Sequence, residues 1–375
     1  MTHIAIFCDG TWNSPTDELT TNVHRLYQCC AQTSTQVPVY FSGVGTGGGV
    51  KSFFGRMVNK LGGGAFGWGL NDNIKYAYLE LCKTYKPGDK IMIFGFSRGA
   101  YTARSLAGMV RKCGILAEPT QANTDWAFKL YRKPGAENAP DEPHIWAERR
   151  TLSPAYATSQ KDIELRNDDS FLVRITYLGI WDTVGALGIP ESLLGPIAVL
   201  WNGRYRFHDT RLSSLVESAR HAVALDERRV FYVPSLWDNL EAGEDHPGLN
   251  QGNRGPDRPY QQVWFVGDHS IVGGSAHARG LGAITLAWIW EGAEALGRQL
   301  KPGARMPDVD FDPIMVAPEI DDPSLVYRVA KNLLQWRDGP GHDIDLHESV
   351  LQRTGHDTAY RPRSLYNLRR DLFDD

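Results

Sequence analysis

Short apolar runs alternate with longer segments of helical periodicity through the first third of the chain. Residues 4–8 (IAIFC), 37–41 (VPVYF) and 90–94 (KIMIF) read as buried strands, and residues 22–31, 69–85 and 100–113 as the helices that follow them. This alternation predicts an α/β fold, with a mainly parallel sheet covered by helices on both faces. Two more strand-like runs lie downstream, at residues 171–181 (FLVRITYLGIW) and 262–266 (QVWFV).

The rhythm breaks twice. Residues 118–169 carry many charges and prolines, with only patches of helical pattern such as 126–131, and residues 239–260 mix acids and arginines with Gly and Pro. Both read as insertions in a single domain spanning residues 1–375, the first beside the active-site face and the second a loop that frays or gates access. Helices around Trp288 and over residues 325–336 are expected to complete the scaffold. The charged tail, residues 361–375, is expected to be mobile. Residues 187–201 hold Leu193, Leu194, Ile197 and Trp201 with almost no charge, and two readings stay open for them: a core segment, or a lid and acyl-chain groove.

The pentapeptide Gly95-Phe96-Ser97-Arg98-Gly99 stands between the strand at 90–94 and the helix at 100–113. In that context a G-x-S-x-G turn forces its serine into a strained backbone conformation and exposes the hydroxyl at the sheet edge. The helix behind it offers free N–H groups and the positive end of its dipole to a developing oxyanion. These features point to a nucleophilic serine. Such a serine needs a histidine base and a carboxylate that orients the histidine. Asp182 follows the strand at 171–181, where a sheet of this kind presents its chemistry, with a turn or N-cap as its alternative role. His269 follows the strand at 262–266 in a loop rich in glycine. His221 is the rival base, but residues 218–227 (SARHAVALDE) have helical composition, which predicts a packed helix histidine. Backbone N–H groups at Arg98 and at Gly10 or Thr11 are the expected oxyanion donors.

Two other motifs lose their chemistry on inspection. The run Asp9-Gly10-Thr11 after a strand suits phosphatases with an aspartate nucleophile, yet the nucleophile's position holds Phe7. Residues 45–52 (GTGGGVKS) approach a phosphate-cradling loop, but Val50 replaces the glycine before the lysine. A flexible loop near the site's rim is the expectation there.

The segments CDGTWN, GFSRGAYTARSLAGMV, GIWDTVGALGIP, ARHAVALDERR and VWFVGDHSIVGGS occur in this order. Together they resemble the α/β-hydrolase domain of the bacterial type VI secretion lipase effectors, from about residue 3 to at least residue 290. The resemblance implies a serine esterase fold with phospholipase activity, and carries the nucleophile to Ser97, the acid to Asp182 and the base to His269. The loop at His269 departs from the family pattern, with Ile271 in place of a polar residue.

Composition narrows the partners. The chain has 375 residues, 42% hydrophobic, and a formal net charge of −4 with no basic run, which argues against nucleic acid. Its five cysteines, at 8, 29, 30, 82 and 113, show neither zinc spacing nor a disulfide framework, so synthesis in a reducing cytoplasm is expected. The apolar start is too short for a cleaved signal peptide, which leaves export by a dedicated secretion machine as the expected route out. The expected substrate is a carboxylic ester, a phospholipid above all, met at a membrane surface, with no metal or organic cofactor. A secretion or immunity protein is the expected protein partner. The alternatives are a non-catalytic lipid- or protein-binding module on a hydrolase scaffold and an esterase for small soluble esters.

Overall fold

The computed structural model describes residues 1–10, 19–43, 65–185, 211–243, 247–277, 279–302, 304 and 334–373. Thr11, residues 45–52, residues 187–201 and residues 325–333 of the expected late helix lie outside this set. The apolar runs form strands, those in the centre of the sheet buried along almost their whole length and those at its two edges only in part. They are β1 (His3–Cys8), β2 (Gln36–Phe41) and β3 (Lys90–Phe96), joined later by β6 (Ile175–Trp181), β7 (Ala219–Ala224) and β8 (Tyr260–Phe265). These six make one sheet in the order β2-β1-β3-β6-β7-β8, with every neighbouring pair parallel. The two-residue strands β4 (Tyr156–Ala157) and β5 (Phe171–Leu172) pair with each other apart from it.

Alternate residues of the central strands feed opposite layers, as the two-residue period of a strand requires. Ile4, Ile6, Ile91, Ile93, Leu178 and Ile180 meet the helices α2 (Ala65–Thr84) and α3 (Arg98–Cys113) on one face. Ala5, Phe7, Met92, Phe94, Phe96 and Trp181 meet α1 (Asn22–Cys29) and the late helix α8 (Arg279–Glu294) on the other. Trp288 to Trp290 lie on α8, as the sequence predicts.

The segment 118–169 is far more helical than its charge pattern suggests. It forms α4 (Gln121–Tyr131), α5 (Pro143–Leu152) and α6 (Gln160–Arg166). Its contacts run along α3, where the Tyr131 ring lies over Gly108 and Thr158 donates to the carbonyl of Arg111. One buried carboxylate holds these helices together. Asp162 accepts from Arg149 Nε at 2.9 Å, Arg166 Nε at 2.8 Å, Trp146 Nε1 at 2.7 Å and the Thr158 N–H at 2.9 Å.

Three expectations are corrected. Residues 219–224 are a strand, because a central slot between β6 and β8 supplies backbone partners on both sides and overrides local composition. The tail is docked: Ser364 donates to the carbonyl of Leu225 at 2.7 Å, and Leu365 and Tyr360 pack beside Val223 and Trp264. The described part of 239–260 is pinned, since Asn239 exchanges two hydrogen bonds with the Leu212 backbone and Asn250 does the same with Tyr260.

His221, in β7, is fully buried. Its Nε2 accepts from the Thr183 N–H at 3.1 Å, so the ring is neutral and donates from Nδ1 to Gln262 at 3.0 Å. Burial, reinforced by Arg104, pushes its pKa down to about 3.

Two predictions follow from this packing. Asp162→Ala strands two buried guanidinium groups and should cost about 3–5 kcal/mol in urea unfolding, whereas a loss under about 1 kcal/mol would contradict the account. His221 stays neutral in the fold while the unfolded chain protonates below about pH 6.5, so its contribution is present above that pH and lost as the pH falls towards about 3. The stability gap between the wild type and His221→Gln should therefore narrow between pH 7 and 5, by up to about 1.4 kcal/mol per pH unit. A gap independent of pH would refute it.

Candidate active site

Ser97 occupies the turn from β3 into α3, with φ 57° and ψ −121°. That backbone region is costly for a residue with a Cβ, and it persists because the chain on both sides is fixed. Its N–H donates to Trp181 at the end of β6, and the glycines beside it are sterically required. A Cβ on Gly95 would sit 2.5 Å from the Gly99 carbonyl oxygen, and one on Gly99 would sit 2.1 Å from that of Cys8. The small side chains of Ala100, Ala103 and Ala107 let the helix lie close to the sheet. The N-terminus of α3 thus lies directly after Ser97.

Asp182 lies just past β6, also at positive φ (34°), and is fully buried. Its two oxygens are saturated with donors. Oδ1 accepts from the Ala224 N–H at 2.9 Å and Arg337 Nη1 at 2.7 Å, while Oδ2 accepts from Arg337 Nη2 at 2.9 Å and His269 Nδ1 at 2.6 Å. Burial alone would raise its pKa, but the Arg337 guanidinium and the hydrogen bonds from His269 and Arg337 outweigh burial and hold it well below the usual carboxylate range. Asp182 is therefore ionised.

His269 opens the one-turn helix α7 (His269–Val272), which follows β8 through Gly267 and Asp268. Asp268 caps this turn by accepting from the Ile271 N–H at 2.9 Å. The His269 N–H donates to Glu227 Oε2 at 3.2 Å, and its ring lies between those of Phe96 and Tyr232, at centroid distances of 4.7 and 4.6 Å. Nε2 stands 2.9 Å from Ser97 Oγ. An ionised carboxylate only accepts, so Nδ1 carries the ring proton and Nε2 presents its lone pair to the serine hydroxyl.

The structure thus brings Ser97, His269 and Asp182 into one hydrogen-bonded line, and it sets His221 behind the Asp182 turn. The Gly10 expectation is corrected. Its N–H donates to Asp9 Oδ1 at 2.7 Å, within a turn where Thr21 and Tyr40 also donate to the Asp9 carboxylate. Thr11 lies outside the described residues. Among the described residues no group of three His, Cys, Asp or Glu could hold a metal ion.

Two partners of the site were missed in the sequence. Glu227 follows β7, and it is almost fully buried beside the half-buried Arg229, which donates to it from Nη2 at 2.5 Å. Arg337 comes 155 positions after Asp182, in a segment without regular secondary structure, and no local pattern marks it.

An uncharacterized protein of the yeast Saccharomyces cerevisiae is 32% identical over 254 residues, which is 63% of this chain and 34% of that protein. Among solved structures, an uncharacterized protein from Pseudomonas aeruginosa aligns with 80% of this chain and 46% of its own, at 16% identity and a TM-score of 0.44. The Tle1 effector bound to the VgrG spike of the type VI secretion system aligns with 74% of this chain and 51% of its own, at 18% identity and a TM-score of 0.36. The chain spans about a third of the yeast relative and about half of each of these solved chains. Residues 2–292 match the family described as the catalytic domain of Tle1-like type VI secretion phospholipase effectors, and the chain belongs to that family.

Proposed function

We propose that this protein is a serine esterase that cleaves a carboxylic ester of a phospholipid through an acyl-enzyme. The observation that carries this reading is the line Ser97 Oγ, His269 Nε2, His269 Nδ1 and Asp182 Oδ2, with successive contacts of 2.9 and 2.6 Å. His269 Nε2 takes the hydroxyl proton as Ser97 Oγ attacks the acyl carbon. The carbonyl oxygen becomes an oxyanion beside the N-terminus of α3, where the Arg98 N–H and the helix dipole favour negative charge. The imidazolium then gives its proton to the leaving alcohol oxygen as the ester C–O bond breaks. Water attacks the acyl-enzyme, His269 takes its proton, and return of that proton to Ser97 Oγ releases the fatty acid.

Each supporting group has a distinct task. Asp182 stays ionised through the cycle, so it fixes the ring's tautomer and stabilises the imidazolium. Arg337 acts through Asp182: it holds the carboxylate in place and keeps it ionised. Family membership supports a phospholipid as the substrate and a type VI secretion component as a partner; synthesis in the cytoplasm and export without a cleaved signal are part of the same proposal.

Two experiments test this reading. Ser97→Ala should abolish labelling by a fluorophosphonate probe and lower fatty-acid release from phospholipid vesicles by about 10⁴-fold or more, and retained release would sink the mechanism. Arg337→Ala should lower kcat by about 100-fold and move the acid limb of the pH profile upward, since burial then raises the Asp182 pKa against the His269 contacts without the guanidinium. Arg337→Lys should restore part of both. An unchanged acid limb in Arg337→Ala would remove Arg337 from its positioning role.

A further inference from the structure

Two residues before His269, both polar groups of the Gly267 backbone are held by Asp226. The Gly267 N–H donates to Asp226 Oδ2 at 2.6 Å, and its carbonyl accepts from the Asp226 N–H at 3.1 Å. Gly267 sits at φ 118°, and a Cβ there would lie 2.4 Å from Ile271 Cγ2, so the turn between β8 and α7 is packed without slack. Glu227 takes the N–H of His269 itself at 3.2 Å. Two consecutive acids after β7 therefore set the backbone that carries the imidazole.

Asp226 is 4% exposed, and its other donor among the described residues is Tyr360, whose hydroxyl lies 2.8 Å from Oδ2 and 3.0 Å from Oδ1. The Arg353 guanidinium lies over the Tyr360 ring, 4.7 Å from its centre. Burial pushes the Asp226 carboxyl up to about 6, against the Gly267 N–H, the Tyr360 hydroxyl and the charge of Arg353, with Asp268 adding to the rise. Burial, with the Asp226 charge beside it, holds the Tyr360 phenol well above its usual range, so Tyr360 keeps its proton and donates. A carboxyl that took up a proton would itself become a donor, and Tyr360 and Gly267 would then compete for the one oxygen left to accept.

The phenol is fixed from both sides along the chain. Tyr360 follows α9 (Glu348–His356), and Arg361 Nη1 donates to the carbonyls of Thr354, Asp357 and Tyr360 at 3.0, 3.1 and 3.0 Å. Ser364 donates to the carbonyl of Leu225, the residue before Asp226. The ring belongs to the apolar cluster of Val266 and Ile271, on either side of His269. A phenylalanine would fill that place equally well, whereas the hydroxyl has one target among the described residues, the Asp226 carboxylate.

We infer that Tyr360 is a positioning residue for His269: acting through Asp226, its hydroxyl fixes the Gly267 peptide and thereby the line from the imidazole to Ser97 Oγ. Its weight in catalysis rests on the reading of His269 as the base of the ester reaction. Like Arg337, Tyr360 lies beyond the family match at residues 2–292, so this later stretch of chain completes the site.

Tyr360→Phe keeps the ring and removes the O–H. It should lower kcat on a soluble ester by about tenfold at neutral pH with KM unchanged, and slow fluorophosphonate labelling while the final extent stays complete. The groups that set the charge of Asp226 are Tyr360 and Arg353 from the C-terminal segment, Asp268 from the loop before His269, and the adjacent Glu227. The ionised carboxylate holds the turn, so its contribution is present above about pH 6 and lost as the pH falls through that value. Without the Tyr360 O–H the carboxyl rises further, and the acid loss of kcat should begin at higher pH in Tyr360→Phe. In an Asp226→Ala background the same substitution should change nothing more. A kcat within about twofold of the wild type with an unmoved acid limb, incomplete labelling at an unchanged rate, or an equal effect in the Asp226→Ala background overturns the inference. Failure of the ester reading shows separately, as a wild type that never labels. The NMR resonance of the His269 Nδ1 proton, deshielded by the 2.6 Å contact with Asp182, then decides: it should broaden in Tyr360→Phe, and a resonance identical to the wild type's overturns the inference.

Discussion

The buried negative charge of Asp182 is the interaction on which the rest of the site depends. A carboxylate removed from water is tolerable only when its oxygens are filled by donors and its charge is matched. The donors here come from places far apart in the chain: the end of β7 at Ala224, the loop after β8 at His269, and the C-terminal segment at Arg337. Satisfying one side chain therefore ties the last third of the protein to the centre of the sheet. The same four hydrogen bonds leave the histidine no freedom of tautomer, and the proton-accepting nitrogen is directed at Ser97 as a consequence of that burial.

A second constraint is steric. The strained backbone at Ser97 survives because α3 is pressed against β1, with Gly99 so close to the Cys8 carbonyl that no side chain fits between them. That approach sets the first turn of the helix beside the Asp9 turn, whose carboxylate is held by Gly10, Thr21 and Tyr40. Ser97, the dipole of α3 and the neighbouring turn are thus positioned by packing between two adjacent strands and one helix.

Much of this was legible in the chain. β1, β3 and β6 are read directly because parallel strands buried on both faces are apolar at almost every position, and the edge strand β2 because its run is rich in β-branched and aromatic residues. The serine turn is legible because strained backbone needs glycine at fixed offsets, and Asp182 and His269 because each follows a readable strand. β7 was not legible: Arg220 and His221 interrupt it, and their polar atoms are satisfied by Trp288, Thr183 and Gln262, all distant in sequence. The tail misled for the same reason, since its charges face outward while Leu365 and Ser364 dock inward.

Sequence alone determined the strand runs, the glycine-framed serine and the order in which serine, aspartate and histidine occur, because backbone sterics and two-sided burial leave marks within a few residues. Tertiary structure decided which histidine meets the serine and that Arg337 and Glu227 brace the site. Those outcomes rest on hydrogen bonds between groups dozens to hundreds of residues apart, and such a bond exists only once the sheet has set its partners side by side.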